Sequence, residues 1–283
     1  MGDAKAPITE AVALGGSLPI PYAHRGTVVR GIAVARPTAG DIATVARLAA
    51  DGDAYAAMSA FVVGGTALLT TDAGSLSSRQ ERMDAVRDMP FANINWCIVE
   101  VLLGLGCRDA IEGAWDCPRC GKTLVVDEES GEKISALPVR KQGDGDPQTV
   151  KVALLVPVQV TSDKGEVVEH AESMEFRFAT MTDCSRAAKR VGSNDAGRLN
   201  LEILRNSLLA VNGAAVTEKY RGEWADVVLS RLDTSDLRAI GREASRYGYE
   251  DSVERECAKC GKRWPAPVDV TGFFVSGLRE LSA

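Results

Sequence analysis

Two short cysteine motifs, about half the chain apart, constrain this protein more than any other feature of its sequence. Cys-Pro-Arg-Cys-Gly-Lys occupies positions 117–122, and Cys-Ala-Lys-Cys-Gly-Lys occupies positions 257–262. In each motif the two-residue gap lets both sulfur atoms face one ion, and the glycine permits the tight turn that directs backbone N–H groups at the thiolates. Each motif therefore has the sequence of a zinc knuckle.

One knuckle supplies two ligands, whereas a structural zinc ion takes four. The sequence therefore predicts a single tetrathiolate site that joins the two knuckles, and its ligands are Cys117, Cys120, Cys257 and Cys260. A structural zinc ion contributes on the order of 10 kcal/mol to folding, which is enough to fix the orientation of the parts that it joins.

Two other interpretations of the cysteine pairs remain open at this point. A thioredoxin-like redox pair requires a βαβ setting, whereas the first knuckle follows a helical pattern and precedes strands. The pairs are also compatible with free thiols that bind no metal. Three further cysteines lie on apolar or helical stretches and are predicted to be small buried residues. They are Cys97, Cys107 and Cys184.

The knuckles close a longer internal repeat. Residues 18–21, 26–29 and 37–41 precede the first knuckle, and the related segments 156–159, 165–168 and 180–183 precede the second in the same order. The repeat predicts an α+β fold built by tandem duplication, in which each half is a β-hairpin followed by helices and a terminal knuckle. The predicted repeats are residues 1–140 and 151–283, and residues 141–150 form the linker.

Within the second repeat, Leu201, Leu204, Leu208 and Val211 are spaced as one face of a helix, which predicts a helix that continues through 211. The linker contains Asp144 and Asp146, two carboxylates of the kind that bind calcium. They lack the further ligands and the closing glutamate of a calcium loop, so the sequence favours an exposed polar loop.

Composition excludes several classes of protein. Among 283 residues, 45% are apolar and 25% are charged, which is typical of a globular chain and excludes a disordered or fibrous one. A net charge of −6 and an aromatic content of 5% argue against a nucleic-acid partner. The N-terminus lacks a secretory signal, and the apolar stretch 96–107 is interrupted by Glu100 and is too short to span a bilayer. We therefore expect no membrane partner and a cytoplasmic site of synthesis.

The sequence contains no P-loop, His-Glu-x-x-His or Gly-x-Ser-x-Gly motif, and its two histidines, His24 and His170, are predicted to lie exposed in hairpins. His170 and Glu172 with the second knuckle suggest a zinc deaminase, but Glu256 occupies the position before Cys257 where that signature has proline. A site of four thiolates also leaves no open position for water. The prediction is a protein that is not an enzyme and takes no small-molecule substrate.

Several of these segments resemble proteins of contractile tails. Residues 18–21, the turn to Gly26 and residues 34–41 are similar to the start of tail assembly chaperones from contractile-tailed phages. Residues 89–90, 112–120 and 268–274 resemble baseplate-hub proteins of T4-like phages and related contractile injection systems. This chain differs from those proteins because it carries the unit twice.

The resemblance implies a structural or assembly component of a contractile-tail baseplate, at the hub or at the tube–baseplate junction. Its implied partners are hub, tube, spike or wedge subunits, and its implied location is the bacterial cytoplasm during assembly and then the virion tail or injection-system particle. One alternative is a tail assembly chaperone that the particle does not retain. An alternative of another class is a bacterial enzyme that contains a zinc ribbon and an unrecognised site.

A pair of aromatic residues near the end of the chain is a candidate for partner binding. Phe273 and Phe274 follow the proline-containing extended run 265–268. Adjacent side chains on an extended segment point to opposite faces, so a small domain buries one phenylalanine more easily than both. Either both fill the ribbon core, or one of them anchors a neighbouring subunit, since aromatic residues are enriched at the centres of interfaces.

Overall fold

The computed structural model describes residues 15–107, 109–111, 113–126, 133–161, 167–192, 195–216, 227–250 and 252–268. Helices alternate with antiparallel strand pairs along these residues, which confirms the predicted mixture of helix and antiparallel sheet. The helices are α1 (Ala39–Ala50), α2 (Ala54–Gly64), α3 (Arg79–Asp88), α4 (Phe91–Gly104), α5 (Met181–Val191), α6 (Ala196–Ser207) and α7 (Thr234–Ala244), with a 3₁₀ turn at Ile134–Ala136.

The strands fall into two four-stranded sheets and three two-stranded pairs. The first half contributes β1 (Ser17–His24), β2 (Thr27–Val34), β3 (Thr66–Thr71), β4 (Gly74–Leu76), β5 (Gly113–Asp116), β6 (Thr123–Val126) and β7 (Val139–Arg140). The second half contributes β8 (Thr149–Thr161), β9 (Val167–Arg177), β10 (Leu208–Val211), β11 (Ala214–Ala215), β12 (Gly248–Tyr249), β13 (Ser252–Glu256) and β14 (Arg263–Pro267).

The chain forms two compact units that are not consecutive in sequence. Unit 1 comprises the described residues of Met1–Asp84, Ala92–Lys141 and Tyr247–Ala283. Unit 2 comprises Ala85–Phe91 and the described residues of Gln142–Arg246. This division differs from the repeats predicted at 1–140 and 151–283, because the second knuckle belongs to unit 1. Strand β12 pairs with β7 of the same unit, and this pairing joins residues more than 100 positions apart.

Unit 1 is built around the sheet β1-β2-β3-β4 and the apolar helix α4. Eight residues of α4 are buried, as expected of a helix that is apolar on most of its faces. Helix α1 begins with a capping box, in which the Thr38 hydroxyl accepts from the Asp41 N–H and the Asp41 carboxylate accepts from the Thr38 N–H. Asp41 also accepts a hydrogen bond from Arg79 at 2.6 Å.

Unit 2 contains the sheet β8-β9-β10-β11, against which helices α6 and α7 pack apolar residues. Thr180 and Asp183 form a capping box at α5, and Arg177 holds the Asp183 carboxylate with both of its terminal nitrogens. The prediction of one helix through 211 is wrong. Helix α6 ends at Ser207, and Leu208–Val211 pairs with β9 as β10, which buries Leu208 against the sheet.

The two sheets share two irregularities of register. In β1–β2 the register passes from Ser17↔Gly31 to Tyr22↔Val29, so residues 18–21 lie opposite one residue of β2. In β8–β9 it passes from Ala153↔Ser173 to Val158↔Ala171, so residues 154–157 likewise lie opposite one residue of β9. We call these two segments the wide bulges. A single-residue bulge also recurs, at residue 67 of β3 and residue 209 of β10.

Among the helices of the described residues, none has the length and apolar character needed to cross a membrane. The most apolar of the buried helices, α2 and α4, have 11 and 14 residues.

Candidate metal centre

Each knuckle is a short hairpin whose tip has the same backbone geometry. Strands β5 and β6 flank the first knuckle, and β13 and β14 flank the second. In the first, the Cys117 N–H donates to the Lys122 carbonyl at 3.0 Å and the Gly121 N–H donates to the Cys117 carbonyl at 2.9 Å. The corresponding distances in the second knuckle are 2.9 and 2.8 Å.

The glycine of each knuckle has a backbone angle that other residues rarely adopt. Gly121 has a φ of 67° and Gly261 has a φ of 65°, both in the left-handed region. This conformation turns the chain after the second cysteine, so that both cysteines of a knuckle face the same point. The glycine is therefore required by the turn, as the sequence pattern predicts.

The structure brings the four predicted ligands together within unit 1. Their sulfur atoms all lie within 4.8 Å of one another, and they belong to Cys117, Cys120, Cys257 and Cys260. Two pairs of sulfurs, each joining the two knuckles, are 3.6 Å apart. This spacing is well beyond the ~2.05 Å of a disulfide and close to the ~3.8 Å edge of a tetrahedron with ~2.3 Å metal–sulfur bonds. The cluster can therefore hold a metal ion.

A contact between the two hairpins supports this arrangement from one side. The Trp115 indole N–H donates to the Pro267 carbonyl at 3.0 Å, and the Arg255 guanidinium lies 5.0 Å from the centre of the Trp115 ring. Trp115 and Arg255 occupy the same position, two residues before the first cysteine of each knuckle. A cation over an indole face is attractive, so this contact helps to hold the second hairpin beside the first.

No sequence motif predicted the contact of Trp115 with the second knuckle hairpin. The Trp115 indole ring lies close to Gly113 on its own strand, and a Cβ atom at Gly113 would lie only 2.6 Å from that ring. A tryptophan and an arginine at matching positions of two knuckles were a signal in the sequence, but only the pairing of the hairpins shows that they meet.

The electrostatics of the cluster favour thiolates at the first cysteine of each knuckle. Desolvation acts to raise the pKa of Cys257, but the N–H groups of Cys260 and Lys259 and the neighbouring sulfurs outweigh it and lower that pKa to about 6. The pKa of Cys117 is lowered in the same way, against desolvation, by the N–H groups of Arg119 and Cys120.

The second cysteine of the second knuckle behaves in the opposite way. The Lys262 N–H acts to lower the pKa of Cys260, but desolvation and the other three sulfurs outweigh it and raise that pKa to about 11. When four sulfur atoms lie this close, the thiolates that form first repel further negative charge, so the remaining thiols are harder to deprotonate. A divalent cation at the centre removes this penalty, because it attracts every thiolate.

The remaining cysteines are buried away from the cluster, as predicted. Cys97 lies inside α4 and Cys184 inside α5, and Cys107 follows α4. Burial raises the pKa of the Cys97 thiol above its ordinary value and raises that of Cys184 to about 12. The thiols of Cys97 and Cys184 therefore stay protonated. Among the described residues, none of the three cysteines belongs to the group that can hold a metal.

The sequence also drew attention to two aspartates, two histidines and two phenylalanines. Asp144 and Asp146 lie in an exposed turn, and Asp146 accepts from the Gly143 N–H at 2.8 Å. His170 is exposed as predicted, whereas His24 is buried, so its predicted exposure is wrong. Phe273 and Phe274 lie outside the described residues, and their role stays a prediction.

No protein family, no curated protein and no solved structure matches this chain.

Proposed function

We propose that the four cysteines hold one zinc ion whose role is structural. The observation that carries this proposal is the gathering of four sulfur atoms within 4.8 Å, two from each knuckle. Zinc favours four thiolates at the corners of a tetrahedron, and four protein ligands leave no position for a water molecule or a substrate. When bound, the metal supplies no reaction chemistry and joins β5–β6 to β13–β14.

Metal analysis of the purified chain tests this proposal. We expect about one zinc ion per chain, and removal by a chelator should unfold the knuckle hairpins. Two ions per chain, or none in a folded sample prepared without chelator, would contradict a shared site.

We also propose that the chain arose by tandem duplication. Both halves have a sheet of four strands in the same order, a wide bulge in the first hairpin and a single-residue bulge on the third strand. The capping boxes start at residues 38 and 180, and the single-residue bulges lie at 67 and 209, so both offsets are 142 residues.

A third landmark supports the duplication independently of the sheets. Asn93 occupies the third position of α4, and its side chain accepts a hydrogen bond from the Ile20 N–H in the wide bulge. Asp236 stands at the third position of α7, and its side chain bonds the backbone of the other wide bulge at Leu155. One polar residue thus has the same role in both halves. Superposition of residues 17–104 on 149–244 in an experimental structure tests this proposal.

The function that we propose for this scaffold is a structural or assembly component of a contractile-tail baseplate. The resemblance of short segments to such proteins supports the tail context, and these segments are residues 18–21, the turn to Gly26 and residues 34–41, 89–90, 112–120 and 268–274. The four-thiolate cluster fits this role, because a metal held there has no open coordination position and would act as a structural element. The proposed partners are hub, tube, spike or wedge subunits, and the proposed location is the assembled particle.

Quantitative mass spectrometry of purified tail particles tests this function. A structural component should be present at a constant ratio to the tube and hub subunits. Absence from particles, together with association with tail subunits in the cell lysate, would favour the assembly chaperone. Turnover of a substrate by the zinc-loaded chain would instead favour the enzyme, and would contradict the structural proposal.

A further inference from the structure

The loops that carry the four cysteines also carry exposed cations at matching positions. One cation lies between the two cysteines of each knuckle, and another directly follows the glycine. These side chains are Arg119 and Lys122 in the first knuckle and Lys259 and Lys262 in the second, and all four are exposed. Residues 117–122 and 257–262 contain no aspartate or glutamate. We call the exposed surface of these two loops the knuckle face.

Within the part of the chain that the structure describes, the cations of the knuckle face have no partner, unlike the cations beside them. On the same hairpins, Arg263 pairs with Glu256 at 2.8 Å and Arg255 lies over Trp115. Among the described residues, no hydrogen bond or ion pair engages the side chain of any of the four knuckle-face cations. Their charges are therefore available to a molecule outside the chain.

The metal centre does not account for all of this charge. Four thiolates and one Zn²⁺ carry a net charge of about −2, so the four cations leave an excess of about +2 within residues 117–122 and 257–262 themselves. The whole chain has a net charge of −6. The knuckle face is thus a positive region on a negative protein, and the same cation positions recur in both knuckles.

We propose that the knuckle face binds an acidic protein surface. Exposed Pro118 and Ala258, one in each loop, add small apolar contacts between the cations. Nucleic acid is the less favoured ligand, since Trp115 and Trp264 are only partly exposed and the loops themselves contain no aromatic residue on which a base can stack.

This proposal rests on the zinc site proposed above, because the metal fixes the two loops beside each other. The test therefore measures zinc content in every sample. Full-length, zinc-loaded protein is titrated with a fluorescent poly-L-glutamate at low and at moderate salt. Binding should be detectable at low salt and should weaken as salt rises, because exposed charges are screened.

A variant that replaces all four cations by glutamine should bind poly-L-glutamate about tenfold more weakly or worse, since it loses four ion pairs that each contribute a small amount. The control variant removes the same charge from exposed cations elsewhere, and it should bind like the unmodified chain. It carries Arg30→Gln, Arg186→Gln, Lys189→Gln and Arg242→Gln.

Two smaller variants keep the test decisive if the fourfold variant misfolds. Arg119→Gln with Lys122→Gln, and Lys259→Gln with Lys262→Gln, should weaken binding by similar factors because their positions match. No binding, or equal loss in the control, would overturn the proposal. Loss of zinc from the variants would assign the cations to the metal centre instead. Tighter binding of a fluorescent oligothymidine than of poly-L-glutamate would overturn the choice of partner.

Discussion

The two wide bulges have the same length and the same place in the first hairpin of their sheet, but different side chains secure them. In unit 1 the Asn93 amide bonds both polar groups of Ile20: its oxygen accepts from the N–H at 2.9 Å, and its nitrogen donates to the carbonyl at 2.7 Å. In unit 2 one Asp236 oxygen accepts from the Leu155 N–H at 2.7 Å. The other oxygen is buried, and no described residue donates to it.

The apolar residues of the bulges differ in the same direction. Leu18 and Ile20 are each 2% exposed, whereas Leu155 is 72% and Val156 is 56% exposed. A buried polar atom without a partner and exposed apolar side chains both reduce stability. Two bulges of the same length and place therefore differ in their contribution to stability. The bulge of unit 1 has the more complete hydrogen bonds and the more buried apolar side chains.

The largest expected effect tests whether the two knuckles contribute equally to the metal centre. Cys117→Ser and Cys257→Ser each leave three thiolates, which no longer fill the tetrahedron. Both variants should lose the metal and the order of both knuckle hairpins, as measured by zinc analysis and by hydrogen exchange of residues 113–126 and 252–268. Cys184→Ala, a buried cysteine outside the cluster, should retain one zinc ion per chain. Loss of metal from one knuckle variant only would contradict a shared site.

The second prediction tests the two hydrogen bonds by which Asn93 secures the wide bulge of unit 1. Asn93→Asp deletes the donor to the Ile20 carbonyl and places a carboxylate in a fully buried position. An unsatisfied buried group of this kind costs about 3 kcal/mol. Hydrogen exchange of β1 and urea unfolding should both report the loss. Asn95→Asp, the same change on a partly exposed position of α4, is the control and should have a smaller effect.

Local features of the fold were predictable because adjacent residues encode them. The capping boxes at Thr38 and Thr180 and the knuckle turns follow from motifs of six residues or fewer. The meeting of the four cysteines was predictable for another reason, since each knuckle supplies two of the four ligands that a structural zinc ion takes. The spacing of leucines after Leu201 was misleading, because Leu208 has the period of a helix but pairs with Phe176 in a strand. Periodicity alone does not show where an apolar run leaves the helix.

Long-range features were not predictable from one sequence. The second knuckle hairpin belongs to unit 1 because β12 pairs with β7 and Trp115 donates to Pro267, contacts that span over 100 residues. In the sequence, nothing distinguishes Asn93 and Asp236 from other polar residues near the N-terminus of a helix. Only their bonds to Ile20 and Leu155 reveal that they secure the bulges.

The third prediction compares the two capping boxes. Asp183 is 1% exposed and is held by two nitrogens of Arg177, whereas Asp41 is 7% exposed and accepts one bond from Arg79. Asp183→Asn should therefore cost about 2 kcal/mol and Asp41→Asn about 1 kcal/mol of the free energy of unfolding. Urea titration at neutral pH measures both. A larger loss for Asp41→Asn would contradict this ranking.

Acid unfolding gives an independent test at the first capping box. Desolvation acts to raise the pKa of Asp41, but hydrogen bonds from Thr38 and Arg79 and the Arg79 charge outweigh it and lower the pKa below its ordinary value. A carboxyl group with a lowered pKa stabilises the fold above the unfolded-state value of about 3.9, and this stability is lost as pH falls through the folded-state pKa. Asp41→Asn should therefore flatten the stability profile of unit 1 below about pH 4.

The smallest expected effect is a gain, and it tests the comparison of the two bulges most directly. Asp236→Asn keeps the oxygen that accepts from the Leu155 N–H and replaces the unpartnered buried oxygen by a donor, as Asn93 has in unit 1. The change also removes a negative charge near the N-terminus of α7, which costs a few tenths of a kcal/mol. We expect a net stabilisation of about 1 kcal/mol, because a neutral amide costs less to bury than a carboxylate with an unpartnered oxygen. Hydrogen exchange of β8 and α7 should slow accordingly, while Asp233→Asn, an exposed cap of the same helix, should give no such gain. Destabilisation by Asp236→Asn would show that the carboxylate is satisfied in solution, and the two bulges would then be equally well secured.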